Sequence, residues 1–267
     1  MTAVARVVVT DLDGCLLDAA TYRWEPARPA LDALRRRGIP LVLCSSKTRA
    51  EMEPLAGAIG ARGPLVVENG GAIVEPGGAV LVLGVTRDRL LEELPAVARE
   101  AGVRVRTFAE MSVAEVAALT GLPEDQAVLA MRREYDEPFV IEDPPGRDPA
   151  VDARLDRAAR ARGLLVTHGG RLHHLTGPAD KGDALRAIAR ARPTDGDVVG
   201  LGDAANDLPL LLAVTRPIVM PRPDGTVDSA LAARLPGVER APGPGPAGWS
   251  AAVLAVLSGG SLPRVGA

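Results

Sequence analysis

The stretch from Val7 to Gly14, VVVTDLDG, constrains the fold more than any other part of the sequence. Three consecutive β-branched apolar residues are typical of a strand that is buried on both faces, as in a parallel sheet. Gly14 would allow the chain to turn away where this strand ends. Because open α/β sheets bind ligands at the carboxyl ends of their strands, we expect Asp11 and Asp13 to share a crevice there.

Two carboxylates at this spacing predict a bound cation. Asp11 and Asp13 would repel each other, and a cation between them would relieve the repulsion. Oxygen ligands favour a hard cation such as Mg²⁺. Taken alone, the stretch is also compatible with a solvated acidic turn. A calcium loop fits poorly, because further ligands at alternate positions are missing.

Short apolar strands alternate with helical stretches in residues 1–85 and 175–267. Strands are predicted near residues 7–10, 39–44, 65–67, 198–201 and 217–220, and helices over 29–37, 48–55, 180–192 and 246–257. This alternation is typical of an α/β fold with a doubly wound parallel sheet, which would form a Rossmann-like core.

Residues 86–174 depart from that pattern. They predict a long helix over 87–101, a half-exposed strand over 103–108, helices over 113–119, 124–132 and 148–162, a strand at 139–141 and a final hairpin that turns at 168–170. We therefore predict an α+β cap domain over 86–174, inserted into a core domain made of 1–85 and 175–267.

Charge and cysteine content narrow the possible partners and compartment. The 267 residues carry a net charge of −3, with acidic and basic residues interspersed, which favours neither nucleic acid nor a membrane as partner. No apolar run approaches the roughly 20 residues of a membrane span, and the first residues do not resemble a signal peptide. Cys15 and Cys44 are the only cysteines, as suits a reducing compartment. We expect a cytoplasmic protein that is a monomer or a homodimer.

Polar side chains follow several of the predicted core strands. They are Asp11 and Asp13, then Ser45, Lys181, Asp203, Asn206 and Asp207. Each has an ordinary interpretation: Ser45 as a helix cap, Lys181 as a surface lysine, and the later acids as turn residues. Together they would meet at one edge of the sheet. Carboxylates, a hydroxyl and a lysine in one place suit phosphoryl transfer, which depends on alignment and positive charge.

The segments DLDGCLLD (11–18), SSKT (45–48), DKG (180–182) and GDAAND (202–207) resemble, in the same order, the motifs of the haloacid-dehalogenase superfamily of phosphatases. The resemblance implies that Asp11 attacks phosphorus to form an aspartyl-phosphate, while Asp13 acts as general acid and then general base. It implies a Mg²⁺ ion held by Asp11, the backbone carbonyl of Asp13 and Asp203, with Asp207 nearby. It also implies phosphate binding by Ser45, Lys181 and Asn206. The family usually has Thr where this chain has Cys15, and we expect the change to be tolerated.

The predicted cap contains RREYDEPF (132–139), which resembles a segment of the mannosyl-3-phosphoglycerate phosphatases, as do SSKTRAE (45–51), VENGG (67–71) and HHLTG (173–177). The resemblance implies a small phosphorylated sugar-glycerate substrate and a mannosylglycerate product, which is a compatible solute. The implied substrate-binding residues are Glu68, Asn69, Gly70, Arg132, Arg133, Glu134, Asp136 and His174. One of the two arginines would bind the glycerate carboxylate. His174 rather than His173 would face the crevice, and His168 would lie in a turn.

Other functions stay open at this point. The chain could act on another sugar phosphate, such as glucosyl-3-phosphoglycerate or the phosphates of sucrose or trehalose, or transfer phosphate between sugars. In the cap, Phe139 could simply pack in the core while the neighbouring charges are solvated. A receiver-type signalling domain also combines Asp, Ser or Thr, and Lys around Mg²⁺. The length of this chain, its insertion and the second acid at Asp13 disfavour a receiver.

Overall fold

The computed structural model describes residues 5–143, 148–169 and 172–266. Its strands are β1 (Ala5–Thr10), β2 (Leu41–Cys44), β3 (Leu65–Val67), β4 (Ala72–Val74), β5 (Val80–Val82), β6 (Arg104–Thr107), β7 (Asp136–Asp143), β8 (Leu165–Gly169), β9 (Leu172–Thr176), β10 (Asp197–Gly202), β11 (Arg216–Val219) and β12 (Glu239–Arg240). Its α-helices are α1 (Arg28–Arg37), α2 (Arg49–Ile59), α3 (Arg87–Ala101), α4 (Val113–Thr120), α5 (Glu124–Ala130), α6 (Pro149–Arg160), α7 (Lys181–Ala191), α8 (Leu208–Leu212), α9 (Ser229–Arg234) and α10 (Gly245–Leu257).

The larger sheet has the strand order β12-β11-β10-β1-β2-β3-β4-β5. The strands from β12 to β3 pair in parallel, and β4 and β5 add an antiparallel hairpin at one edge. This arrangement confirms the predicted α/β fold with a doubly wound sheet. The short elements α9 and β12 were not predicted from the sequence.

Strand β1 lies in the middle of this sheet and is buried on both faces, as predicted. Val8 packs with Leu43 in one apolar cluster, whereas Val9 packs with Val42 in a separate cluster. The end of β1 is fixed from α10, where Trp249 Nε1 donates a hydrogen bond to the Thr10 hydroxyl at 2.9 Å. The side chains that follow Thr10 therefore start from a rigid position.

The smaller sheet is antiparallel, with the order β6-β7-β9-β8, and helices α3 and α6 pack against it. Leu90, Leu94 and Leu155 from the helices form a buried cluster with Phe139. Phe139 is 0% exposed, so the interpretation that places it in the core of the cap is confirmed. The inserted α+β layer is thus present as a sheet of its own.

Three details of this layer differ from the sequence-based predictions. Strand β7 begins at Asp136, so the second half of RREYDEPF belongs to a strand. His168 lies in β8 and pairs with His173, and the prediction that placed it in a turn is wrong. Strand β9 continues to Thr176, one residue beyond the predicted end of that strand at Leu175. Gly170 and Arg171, at the tip of the predicted hairpin, lie outside the described residues.

The insertion leaves and rejoins the larger sheet at one place. A Cβ atom on Gly177 would lie 2.7 Å from the backbone nitrogen of Val85, so the entering and leaving chains touch. The division into a core of 1–85 and 175–267 and a cap of 86–174 stays a prediction. In the described part of the chain, no helix has the length and apolar character required to cross a membrane.

Candidate active site

The turn after β1 brings Asp11 and Asp203 to the same sheet edge. The Asp11 amide donates to the Leu201 carbonyl at 2.9 Å and so extends the pairing with β10. Gly14 has a φ of 78°, and a Cβ atom there would lie 2.5 Å from Oδ2 of Asp203. Only glycine combines this left-handed backbone with so close an approach. The predicted turn at Gly14 is confirmed, and it places Asp203 against the end of β1.

Lys181 is buried between two carboxylates. Its ammonium lies 2.6 Å from Oδ1 of Asp11 and 2.6 Å from Oδ1 of Asp207, and the lysine is 1% exposed. Burial alone would lower the pKa of Lys181, but the charges of Asp11 and Asp207 outweigh burial and raise it. Burial, followed by the charge of Asp207, raises the pKa of Asp11 against the opposing effect of Lys181. One lysine ammonium is thus shared by two carboxylates, those of Asp11 and Asp207.

Asp207 shapes the loop between β10 and α8. Its Oδ2 accepts hydrogen bonds from the backbone amides of Asp203 at 3.0 Å and Ala204 at 3.2 Å, while Oδ1 is bonded to Lys181. Both carboxylate oxygens are thus engaged. Burial, followed by the charge of Asp207, raises the pKa of Asp203 to about 7.

A cation-binding arrangement is present at this edge. One ligand atom each from Asp11, Cys15 and Asp203 lies within 4.8 Å of the others. Burial, with the nearby carboxylates, raises the pKa of Cys15, so the thiol stays protonated and is a poor ligand for a hard cation. The carboxylates of Asp11 and Asp203 are suited to bind a divalent cation through oxygen, and such an ion would neutralise their charge.

Ser45 lies at the end of β2 and is 0% exposed. Its hydroxyl accepts a hydrogen bond from the Lys47 amide at 3.2 Å. The N-cap of α2 is Thr48, whose side chain accepts from the Glu51 amide at 3.2 Å. Since another residue caps the helix, the helix-cap interpretation of Ser45 is not supported, and Ser45 stays a candidate for phosphate binding.

The turn after β3 also reaches this edge. Glu68, Asn69 and Gly70 have positive φ values of 48°, 58° and 105°. A Cβ atom on Gly70 would lie 2.2 Å from the carbonyl oxygen of Asp180, so this position requires glycine where the turn packs against the start of α7. The turn presents Asn69 to Asn206, whose side-chain amide lies 3.4 Å from Oδ1 of Asn69. Two predicted binding residues from distant segments are therefore neighbours.

Glu68 connects the core to the inserted layer. Its two carboxylate oxygens accept hydrogen bonds from the backbone amides of Glu134 and Tyr135, each at 2.9 Å. Burial raises the pKa of Glu68 to about 7, against the opposing charge of Arg133. Glu68, which was predicted to bind substrate, thus hydrogen-bonds across the contact between the two layers.

The predicted residues of the RREYDEPF segment form two groups. Arg133 and Asp136 make a series of partly buried contacts, and the other two side chains are exposed. Arg133 donates to the Ser46 carbonyl at 2.8 Å and to Asp136 at 2.9 Å, and His174 Nδ1 lies 2.9 Å from Asp136. Burial would raise the pKa of Asp136, but His174 and Arg133 outweigh it and lower the pKa. Arg132 and Glu134 are exposed.

The alternation along β9 separates the two neighbouring histidines, as predicted. His174 contacts Asp136, whereas the His173 ring stacks on Phe139 with 5.3 Å between centroids. His173 Nε2 also lies 2.9 Å from Asp152 of α6. His173 therefore belongs to the interior of the inserted layer, and His174 to its contacts with the RREYDEPF segment.

Known proteins resemble the chain over nearly its whole length. Residues 8–120 match the family described as haloacid dehalogenase-like hydrolase. A protein of Methanococcoides burtonii named glucosyl-3-phosphoglycerate/mannosyl-3-phosphoglycerate phosphatase is 36% identical over 269 residues, which cover 94% of this chain and 97% of that protein. The chain belongs to the haloacid dehalogenase-like hydrolases.

Two further comparisons agree with this membership. A protein of Persephonella marina with the same name as the Methanococcoides relative is 34% identical to this hydrolase over 272 residues, covering 94% of this chain and 97% of its own. The crystal structure of a haloacid dehalogenase-like hydrolase from Bacteroides thetaiotaomicron superimposes with a TM-score of 0.67 at 18% identity, over 94% of this chain and 98% of that one. At that identity the match shows the fold alone.

Lys47 lies beside Asp13, and no pattern in the sequence had predicted a role for it. The Lys47 ammonium lies 3.0 Å from Oδ1 of Asp13 and 4.8 Å from the ring centroid of Tyr22. A signal was available in the composition, because the 31 basic residues of this hydrolase comprise 29 arginines and only 2 lysines. Lys181 pairs with the first aspartate of the DLD motif, and Lys47 pairs with the second. Both lysines of the chain thus lie in the candidate site.

Proposed function

We propose that this chain is a Mg²⁺-dependent phosphatase that hydrolyses mannosyl-3-phosphoglycerate to mannosylglycerate and phosphate. The names of two relatives that are 36% and 34% identical over most of the chain support this substrate class. The observation that carries the proposal is the buried ammonium of Lys181, which lies 2.6 Å from Asp11. The carboxylate of Asp203 lies close to that of Asp11. The proposed nucleophile, a buried lysine and the proposed metal ligands thus share one sheet edge.

In the proposed reaction, Asp11 attacks phosphorus and the bond from phosphorus to the glycerate oxygen breaks. Asp13 gives its proton to that oxygen, so glycosylglycerate leaves with a hydroxyl group rather than an alkoxide. Asp13 then takes a proton from a water molecule, which attacks the aspartyl-phosphate and releases phosphate. Lys181, Ser45 and Asn206 bind the phosphoryl oxygens during both steps.

Asp11, Asp203 and the backbone carbonyl of Asp13 are the groups proposed to hold Mg²⁺. When bound, the ion offsets charge that would otherwise keep a carboxylate away from a phosphate dianion. Asp207 holds the Asp203 loop and Lys181 in place through its two oxygens. We assign it this positioning role, because both oxygens already have partners in the described structure.

Glucosyl-3-phosphoglycerate is the second candidate substrate, since the names of both relatives include it. Either substrate is a small phosphorylated sugar-glycerate. Asn69, Arg132 and Glu134 stay proposed contacts of the substrate. Glu68, Gly70, Arg133, Asp136 and His174 are proposed to shape that part of the site by holding the cap against the core. A cytoplasmic location and a monomeric or homodimeric state stay predictions.

The test is a phosphate-release assay with Mg²⁺ on mannosyl-3-phosphoglycerate and glucosyl-3-phosphoglycerate, compared with the phosphates of sucrose and trehalose. We expect the highest kcat/KM with one of the two glycosyl-3-phosphoglycerates. Release of phosphate from neither ester would refute the proposed function. Transfer of phosphate to another sugar, without free phosphate, would indicate a phosphomutase instead.

A further inference from the structure

A cavity between the two layers of the molecule is lined by Lys47, whose ammonium lies 3.0 Å from Asp13. It has a volume of about 370 Å³ and is lined by the loop before α1, the start of α2 and the segment that leads into α5. The polar or aromatic side chains in its wall are Thr21, Tyr22, Lys47, Glu51 and Gln126. The volume lies within the range of small-molecule sites. The inference below rests on the proposed function, because it concerns the leaving group of that reaction.

The geometry of proton transfer directs the leaving group toward this cavity. Asp13 can protonate the leaving oxygen only when the two are within hydrogen-bond reach, so the atoms beyond that oxygen must pass by Asp13. Lys47 lines the cavity, and its ammonium lies 3.0 Å from Asp13. In a glycosyl-3-phosphoglycerate, the carboxylate carbon is three bonds from the glycerate oxygen that leaves phosphorus. A carboxylate so close to Asp13 would come within reach of Lys47.

Lys47 retains the capacity to bind a second carboxylate. A lysine ammonium has three N–H donors, and one is enough for Asp13. The side chain of Lys47 is 15% exposed, so its charge is shielded from solvent yet open to the cavity. In a chain with 29 arginines, a lysine at this position indicates a need for a compact cation that fits between two carboxylates.

Tyr22 offers an aromatic face on the same wall. All Phe, Tyr and Trp residues of the chain lie in its described part, and Tyr22 is the one exposed side chain among them, at 46%. It has a positive φ of 56°, which its loop imposes. Oδ1 of Asp18 accepts hydrogen bonds from the amides of Ala20 and Thr21 and from the Thr21 hydroxyl, and the Tyr22 amide donates to the Asp18 carbonyl. These bonds fix the backbone that carries Tyr22, and the ring lies 4.8 Å from the Lys47 ammonium.

We propose that this cavity, the leaving-group cavity, receives the glycosylglycerate part of the substrate, with Lys47 binding the carboxylate and Tyr22 packing against the sugar. The cap contributes Gln126 to the same cavity, from the exposed side of α5. This assignment moves carboxylate recognition from the RREYDEPF segment to the core. Arg133 is committed to the Ser46 and Ala130 carbonyls and to Asp136, which supports the move.

The test for Lys47 uses a matched pair of substrates. One is mannosyl-3-phosphoglycerate, and the other is mannosylglycerol 3-phosphate, in which a hydroxymethyl group replaces the carboxylate. The kcat/KM ratio of the two isolates recognition of the carboxylate, because any effect of the mutation on Asp13 is common to both. For Lys47→Met we expect this ratio to fall by about tenfold to a hundredfold, mainly through KM, as for the loss of a hydrogen bond to a charged group. In Lys47→Arg this ratio should fall less than in Lys47→Met, because the positive charge is kept. Arg234→Met, an exposed cation on α9, is the control for net charge.

A second measurement reports binding of the product, which still carries the carboxylate but has no phosphate. Inhibition by the product mannosylglycerate should weaken in Lys47→Met by a similar factor. For Tyr22→Ala we expect kcat/KM to fall by about fivefold to tenfold for mannosyl-3-phosphoglycerate but not for 3-phosphoglycerate, which lacks the sugar. Tyr22→Phe should recover most of the kcat/KM that Tyr22→Ala loses, because the face of the ring is kept.

The outcomes separate this inference from the proposed function. If the wild type hydrolyses the glycosyl-3-phosphoglycerates but Lys47→Met keeps the wild-type ratio, the inference is wrong and the proposed function stands. If Arg132→Ala or Arg133→Ala lowers the ratio instead, a cap arginine binds the carboxylate and the inference is again wrong. If the wild type hydrolyses neither ester, the proposed function fails and the inference fails with it.

Discussion

The ammonium of Lys181 lies 2.6 Å from Oδ1 of Asp11, although the two residues are 170 positions apart in the sequence. Both side chains are buried, and the contact joins the first residue of α7 to the end of β1. Such a charge-assisted hydrogen bond fixes the orientation of the carboxylate. The proposed nucleophile is thus held ready before substrate binds.

Replacement of the nucleophile should abolish turnover without unfolding the protein. In Asp11→Asn the amide keeps the size of the side chain but cannot attack phosphorus. We expect no phosphate release above background in a preparation free of wild-type enzyme, together with a circular-dichroism spectrum like that of the wild type. Asp88→Asn, on the exposed side of α3, is the matched control and should be fully active. Substantial residual activity would remove Asp11 from the nucleophile role.

Asp13→Asn should slow hydrolysis by about 10²–10⁴-fold, the usual contribution of a general acid–base group. The loss should be largest for sugar esters, because their alkoxide leaving groups need a proton. It should be smaller for p-nitrophenyl phosphate, whose leaving group is already stable as an anion. Equal rates for wild type and variant with a sugar ester would contradict the assignment.

Chelation of metal ions should abolish phosphatase activity, and added Mg²⁺ should restore that activity. The pKa of Asp203, raised to about 7 by burial and by Asp207, also predicts how Mg²⁺ binding depends on pH. Because the ligand must be deprotonated, protons compete with the ion below that pKa. We expect calorimetry to show Mg²⁺ affinity falling by up to about tenfold per pH unit below pH 7. Full activity after exhaustive chelation, or pH-independent affinity, would count against this site.

Glu68 should make stability depend on pH. Burial raises its pKa to about 7 from the ordinary value of 4.5, so the folded state binds the proton more tightly than the unfolded state. The contribution of Glu68 is therefore fully present below about pH 4.5 and is lost as the pH rises to about 7. A shift of this size corresponds to about 3 kcal/mol.

The measurement for Glu68 is the free energy of unfolding in urea, compared with that of Glu68→Gln. The difference between wild type and variant should decline between pH 4.5 and 7, because glutamine does not titrate. Glu92→Gln, at an exposed position of α3, controls for the loss of a surface charge. A difference that stays constant across this range would show that Glu68 titrates normally.

Arg133→Met should loosen the cap rather than alter substrate choice. It would leave Asp136 and the Ser46 carbonyl, 2.9 Å and 2.8 Å from the guanidinium, without that partner. Removing one partner of such contacts typically costs about 1–3 kcal/mol. We expect faster hydrogen exchange in residues 129–136 and lower kcat/KM for all substrates alike. A loss of kcat/KM confined to the glycosyl-3-phosphoglycerates would instead make Arg133 a substrate contact.

Local patterns in the sequence determined the layers of the fold. The valine run before Asp11 predicted a strand buried on both faces, and β1 is such a strand. The alternation of elements predicted the parallel sheet, and the changed pattern after Val85 predicted the inserted layer. These features depend on periodicity and turn residues, which act over a few residues and can therefore be read from the chain directly.

Contacts between distant segments were decided only by the tertiary structure. The family resemblance implied a place for Asp207 near the metal, and the structure shows that its two oxygens contact Lys181 and backbone amides. Lys47 stood inside a recognised motif, yet its position beside Asp13 and Tyr22 depends on how two loops pack. The sequence by itself determined which chemical groups would gather at the sheet edge. Which group faces which partner was settled by packing, because burial and hydrogen bonding depend on residues far apart in the chain.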